Sequence, residues 1–218
     1  MVYEKLNANQ KAMRKGYQQI AKALGSKYGV YRPVSDDVPV TDVRNWQFDI
    51  YFSPTLNNGY QTPKEFGLPL FKGNFDNTTI EVGDFFYDYE RTYYVTSIPI
   101  FEPATVVQCF NDVTISSRSW DSDTRSFVET VIVNRLPCNI QPDGKEAYSR
   151  DQDDGGASNS DHSHKWVIST YLHPQSNVKL NDRVLDDDGN ESSITMIQKT
   201  QHGHKIYCTQ LKDSESAL

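Results

Sequence analysis

The feature that most constrains this chain is a unit that it writes twice. The first copy is "TIEVGDFFYDYERTYYVTSIPIFEPATVVQCFNDVTI", Thr79 to Ile115, and the second is "NVKLNDRVLDDDGNESSITMIQKTQHGHKIYCTQL", Asn177 to Leu211. Placing Asp84 on Asp182 sets Val82-Gly83-Asp84 on Leu180-Asn181-Asp182. With one residue of slack in the turn, Val95 falls on Ile194, Thr96 on Thr195, Ile98 on Ile197, Val107 on Ile206 and Cys109 on Cys208. A turn followed by Val/Ile/Thr/Tyr runs is a hairpin signal. A lone hairpin is marginal in water, so each copy implies a larger β-domain around it. The expected fold is mainly β (α+β): an N-terminal helix followed by two small antiparallel β-barrel-like domains.

The rest of the chain fits this plan. Met13, Tyr17, Ile20 and Leu24 recur at helical spacing, Lys11, Arg14, Lys15 and Lys22 occupy much of the remainder, and Gly25 follows as a stop. This predicts an amphipathic helix in residues 1–27, which either caps its own β-domain or docks on an acidic partner. In "NWQFDIYFS", Trp46, Phe48, Ile50 and Phe52 alternate with Gln47, Asp49 and Tyr51, as in a strand with one buried face. The segment Ser53–Asn77 is rich in Asn, Gly, Pro and Lys and long for a connector, so it reads as an arm. The polar "DSDTRS" after Trp120 marks a candidate boundary, giving β-domains at 28–120 and 121–218. Within the second, 142–164 reads as a mobile polar loop.

The chain of 218 residues is long enough for one large or two small cores. Its net charge of -7 argues against a protein whose main work is wrapping nucleic acid. No run of apolar residues is long enough to span a membrane, and the N-terminus lacks the apolar core of a secretory signal. Cys109, Cys138 and Cys208 have neither disulfide nor zinc spacing and read as buried thiols. His162 with His164, and His202 with His204, have the alternate spacing of a chelating pair, but each lies in a turn or loop without a firm third ligand. "LDDDGN" reads as a hairpin turn at Asp188-Gly189, and it does not fit the EF-hand pattern. Without a nucleophile elbow, phosphate loop or HExxH helix in the sequence, the expectation is a protein that is not an enzyme and takes no metal or cofactor.

The succession of "GVYRP", "EVGDFFYDYERTYYVTSIPIFEPATVVQCFNDVTISSRSW", "ETVIVNRLPCNIQ" and "KWVISTYLHPQSNVKLNDRVLDDDGNESSITMIQKT" resembles a family of tailed-bacteriophage virion proteins built from small β-barrels. That family runs through "vGDyl", "TYfV", "P-L-P", "V-cN-r-vti-R", a "P-a-l" strand and "r-gDlv-dd-GrrY-V" in the same order. The likeness covers most of the chain. Asn181 departs from it where the family tends to have Gly, and "ESSITMI" replaces an aromatic strand, which weakens the second copy. The resemblance implies a structural role: an oligomeric adaptor at the head-to-tail neck or in the tail hub and baseplate, assembled in the host cytoplasm. Its implied partners are further copies in a ring and other phage tail or neck proteins, with DNA passing an acidic lumen that does not hold it. Interface candidates are Lys11, Arg14, Lys15 and Tyr17 on the helix and Tyr60, Lys64 and Phe66 in the arm. The competing expectation is a glycan-binding module using Trp46, Trp120 or Trp166.

Overall fold

The computed structural model describes residues 8–33, 44–53, 67–75, 79–99, 102–143 and 165–211. Among the described residues the chain forms one helix, α1 (Ala8–Leu24), and two closed barrels. The first contains β1 (Ser26–Tyr31), β2 (Arg44–Ser53), β3 (Phe71–Phe75), β4 (Phe85–Tyr87), β5 (Thr92–Ser97) and β6 (Ala104–Cys109). The second contains β7 (Asn111–Asp121), β8 (Ser126–Pro142), β9 (Lys165–Thr170), β10 (Arg183–Asp186), β11 (Glu191–Thr200) and β12 (Gly203–Gln210). All pairings within them are antiparallel.

Both barrels close in the same order. The first runs β1-β2-β3-β6-β5-β4, and the second, begun at its own first strand, runs β7-β8-β9-β12-β11-β10. The internal similarity therefore extends beyond the hairpin to the whole domain. The boundary lies between Cys109 and Phe110, not after Trp120. β7 pairs with β8 and β10, so it opens the second barrel, and "DSDTRS" is the turn of the β7–β8 hairpin. A polar hairpin tip and a polar linker have the same composition, and only the pairing distinguishes them.

The same backbone hydrogen bonds hold the two repeated turns. Gly83 N–H donates to the Val95 carbonyl at 2.9 Å, Val95 N–H donates to Asp84 at 2.9 Å, and Asp84 N–H closes on Glu81 at 3.2 Å. In the second copy Asn181 N–H donates to Ile194 at 2.8 Å, Ile194 N–H to Asp182 at 2.9 Å, and Asp182 N–H to Lys179 at 3.4 Å. Each buried aspartate also accepts from the backbone three residues earlier: Glu81 N–H to Asp84 at 2.7 Å and Lys179 N–H to Asp182 at 2.6 Å. The residue before each aspartate has positive φ, 93° for Gly83 and 69° for Asn181. Asparagine is one of the few residues that adopts this region readily, so the Gly-to-Asn departure leaves the hairpin intact.

The returning strand corrects the sequence placement. β5 is irregular between Val95 and Ser97, where Val95 pairs with Val106 and Ser97 with Thr105. β11 is irregular between Ile194 and Met196, where Ile194 pairs with Cys208 and Met196 with Tyr207. The threonine at each bulge donates across the ladder, Thr96 Oγ1 to the Thr105 carbonyl at 3.0 Å and Thr195 Oγ1 to the Tyr207 carbonyl at 3.1 Å. Cys208 thus corresponds to Val106 and not to Cys109. The tight turn at Gln201-His202 joins longer strands than the connection between β5 and β6, so matching letters across it slips the register.

The barrel interiors differ. Tyr28, Val30, Ile50, Phe75, Ile80, Phe86, Tyr93, Val95, Ala104 and Val106 form the first core, with Phe48, Phe52 and Phe71 packed against it. Phe52 and Tyr93 stack with ring centroids 4.1 Å apart, and Tyr28 meets Phe52 edge-on at 5.2 Å. The alternation read in "NWQFDIYFS" therefore faces inward as expected at Phe48, Ile50 and Phe52; nothing is described of the Trp46 side chain. The second barrel buries Val113, Ile115, Val133, Leu136, Cys138, Ile168, Val184, Ile194, Ile206 and Cys208. Burial pushes the Cys208 thiol up to about 12, as fits an inert core residue.

Candidate protein interface

Two surfaces stand apart from the barrel walls, one in each unit. In the first unit, α1 packs against β2 and β3. The helix meets the barrel through Arg14, Tyr17, Gln18 and Ala21, whereas Met13, Ile20 and Leu24 are exposed. The apolar stripe read from the sequence therefore does not form the main contact. Close backbone approach sets the packing instead: Gly25 N–H donates to the Ala21 carbonyl at 2.8 Å, and a Cβ at Gly25 would lie 2.8 Å from the Ile50 carbonyl oxygen. Small residues at 21 and 25 bring the helix end against β2 and turn its larger apolar side chains away.

The helix and the barrel leave a cavity between them, lined by Arg14, Tyr17, Phe75, Ile80, Ile98 and Pro103 among others. Glu102 sits at its wall, hydrogen-bonded to Lys72 at 2.9 Å, and this ammonium holds the Glu102 carboxyl below the usual carboxylate range. Burial first, and then the charge of Glu102, push the Tyr17 hydroxyl up. Of the sequence candidates, Arg14 and Tyr17 come together in this cavity, while Lys11 and Lys15 are exposed on the same helix. Tyr60, Lys64 and Phe66 lie outside the described residues, as does most of the segment read as an arm, and its end is no arm, because Phe71–Phe75 is β3, paired between β2 and β6 in the first barrel.

In the second unit, a two-stranded ribbon continues past the barrel. β7 is paired with β10 only as far as Ser116, and β8 is paired with β9 only from Asn139, so, among the described residues, 117–130 pair only with each other. Trp120 pairs with Phe127 across the ribbon and Arg118 with Glu129, which places the four side chains on one face. Trp120 is 58% exposed and Phe127 49%; their rings meet edge-on at 5.0 Å, and the Arg118 guanidinium lies 4.2 Å over the Phe127 ring. The Ser116 hydroxyl donates to Glu129 at the ribbon's base. At its tip Asp121 accepts from Asp123 N–H and from the Thr124 hydroxyl, both at 2.9 Å. These bonds hold the Asp121 carboxyl below its ordinary value. Val128 and Val131 are also exposed.

The sequence did not single out this ribbon as an interface. Its signal was present, since "SRSW" and "FVET" flank a six-residue polar turn with bulky residues next to it. The four repeat tyrosines divide: Tyr93 and Tyr94 are buried on opposite sides of the sheet, Tyr87 is half-buried and Tyr89 is 91% exposed.

The remaining candidates are placed without forming a metal cluster among the described residues. His204 accepts from Leu172 N–H through Nδ1 at 3.2 Å, and His202 meets Gln201 in the turn at 2.9 Å. His162 and His164 lie outside the described residues. Asp186 accepts from Asp188 and Asn190 N–H at 3.0 and 2.8 Å, so it organises the β10–β11 turn expected at "LDDDGN". No protein-family model matches the chain, and no curated protein or solved structure matches it either.

Proposed function

We propose that this chain is a non-catalytic structural subunit of a tailed-bacteriophage virion, an oligomeric adaptor of the head-to-tail neck or the tail hub and baseplate. The observation that carries the reading is the tandem of two closed barrels with one strand order, the second extended by an exposed aromatic ribbon. Closed barrels have no free sheet edge and hold their shape, so they suit subunits that must set a fixed angle to a neighbour. The ribbon and α1 lie outside the two barrel walls, where a neighbouring subunit can reach them. The sequence resemblance to phage virion proteins supplies the biological setting.

Light scattering on the purified chain, with and without residues 1–24, tests the proposal. A defined oligomer, or a monomer that assembles when other tail proteins are added, supports it; a chain that stays monomeric in both settings overturns it. The exposed Trp120 favours a second reading, a glycan-binding module, because an indole open to solvent can stack on a sugar ring. Binding to a glycan panel that disappears in Trp120→Ala would establish that reading in place of the first.

A further inference from the structure

We infer that the ribbon of one copy docks in the helix-side cavity of another, as a contact between unlike surfaces of identical chains. The inference rests on the oligomeric reading above and names the surfaces that make it. Two properties match.

The first is chemical type: Trp120 and Phe127 form an exposed aromatic knob, and the cavity walls include Phe75, Ile80, Ile98 and Pro103. Aromatic side chains of this kind bury about 150 to 250 Å² each when they seat in a pocket, which makes them the usual anchors of an interface.

The second is charge. α1 carries Lys11, Arg14, Lys15 and Lys22 and no acidic residue, whereas the ribbon tip presents Asp121 and Asp123 against Arg125. A chain with 22 basic and 29 acidic residues has 18 basic left once the helix is set aside, a net of -11 outside it. The basic helix is thus the exception on an acidic molecule, and its counterpart is available on every other copy. Arg14 at the cavity wall can also meet the face of the incoming indole.

The two surfaces are not alike, so the contact either closes reciprocally in a two-fold dimer or propagates to a ring or filament. The contact makes and breaks no covalent bond.

Mixing full-length variants tests the contact. Trp120→Asp removes the knob and leaves the cavity; Arg14→Glu with Lys15→Glu alters the cavity and leaves the knob. These positions are exposed or half-exposed, so both variants keep the fold, which far-UV circular dichroism checks. Each alone weakens self-association by at least about 30-fold, the effect of losing one anchor residue. Mixed in equal amounts they regain a two-chain complex, since one intact knob then meets one intact cavity. Tyr89→Ala, at a more exposed aromatic in the first barrel, leaves association unchanged.

The inference is overturned if Trp120→Asp assembles as the parent chain does, if the mixed variants stay apart, or if Tyr89→Ala weakens association equally. In all three cases the parent chain still assembles and the oligomeric reading stands. A parent chain that never assembles removes both.

Discussion

The two barrels share a strand order, a turn and a bulge, but they are filled differently. Interlocking aromatics fill much of the first, around Phe52, Phe75, Phe86 and Tyr93, whereas the second is filled by aliphatic side chains and two thiols. Corresponding positions show it directly: β4 places Phe86 opposite Val30, and β10 places Val184 opposite Ile115. The scaffold therefore does not depend on a particular core composition. What recurs is the backbone pattern around Asp84 and Asp182 and the bulge at Thr96 and Thr195, which set where the strands pair. What differs is attached outside that pattern, α1 on the first barrel and the ribbon on the second.

Truncation of the matched core residues has the largest expected effect. Phe86→Ala destabilises the first barrel by about 4 kcal/mol, and Val184→Ala the second by about 2 kcal/mol, because the larger ring leaves the larger void. Hydrogen exchange followed by mass spectrometry reads the loss barrel by barrel. Equal losses in the two barrels would mean that the aromatic filling gives the first no special dependence.

The next comparison concerns the two buried aspartates. Arg32 grips Asp84 with both arms, Nε to Oδ1 at 2.7 Å and Nη2 to Oδ2 at 2.8 Å, and also donates to the Thr79 carbonyl at 2.7 Å. The position that corresponds to Arg32 beside β10 is Ser117, so the second barrel has the same turn without this cation. Arg32→Ala leaves a carboxylate that is 1% exposed without its partner and costs about 3 kcal/mol. Asp182→Ala removes the 2.6 Å turn bond and costs about 1.5 kcal/mol. Urea unfolding of each variant measures the difference, and a reversed order would show that the turn alone carries both sites.

Much of this plan was legible in the letters because backbone requirements leave marks there. The Val-Gly-Asp and Leu-Asn-Asp turns, the alternation around Ile50 and the Asp-Gly turn at Gly189 each need a residue type at a fixed place. The α1 contact was misread because small residues, Ala21 and Gly25, make it, and a hydrophobic pattern does not mark them. The domain boundary was misread at Asp121 because a solvent-facing hairpin tip needs the same polar residues as a linker. Of the cavity, Arg14 and Tyr17 were found through the helix; Ile80, Ile98 and Pro103 arrive from distant chain positions that only barrel closure brings together.

The paired positions Gly83 and Asn181 give a smaller test. Gly83→Ala places a side chain at φ 93° and costs about 1.5 kcal/mol. Asn181→Gly, at φ 69°, changes stability by no more than about 0.5 kcal/mol, since both residues accept that conformation. Thermal unfolding resolves the two. If Gly83→Ala were silent, the recurring positive φ would not be what selects these residues.

The smallest expected effect separates the barrels by pH. All five histidines, His162, His164, His173, His202 and His204, follow Phe110, so the first barrel has none to titrate. Burial, and then the charge of Lys199, push the His204 imidazole below its ordinary value. Its neutral Nδ1 accepts the Leu172 N–H, a bond that protonation at this nitrogen removes. Because the folded value lies below the unfolded one, the unfolded chain takes up the proton first as the solution is acidified. The stability that His204 contributes is complete above the unfolded value of about 6.5, declines as pH falls through it, and levels off below the folded value. Protection factors measured between about pH 7.5 and about pH 5.5 should therefore fall in β9 and β12 and hold in β1 and β4. His204→Gln, which keeps an acceptor and does not titrate, should flatten the response of the second barrel. A first barrel that weakens as much over the same range would show that carboxylates common to both, and not this imidazole, set the acid limit.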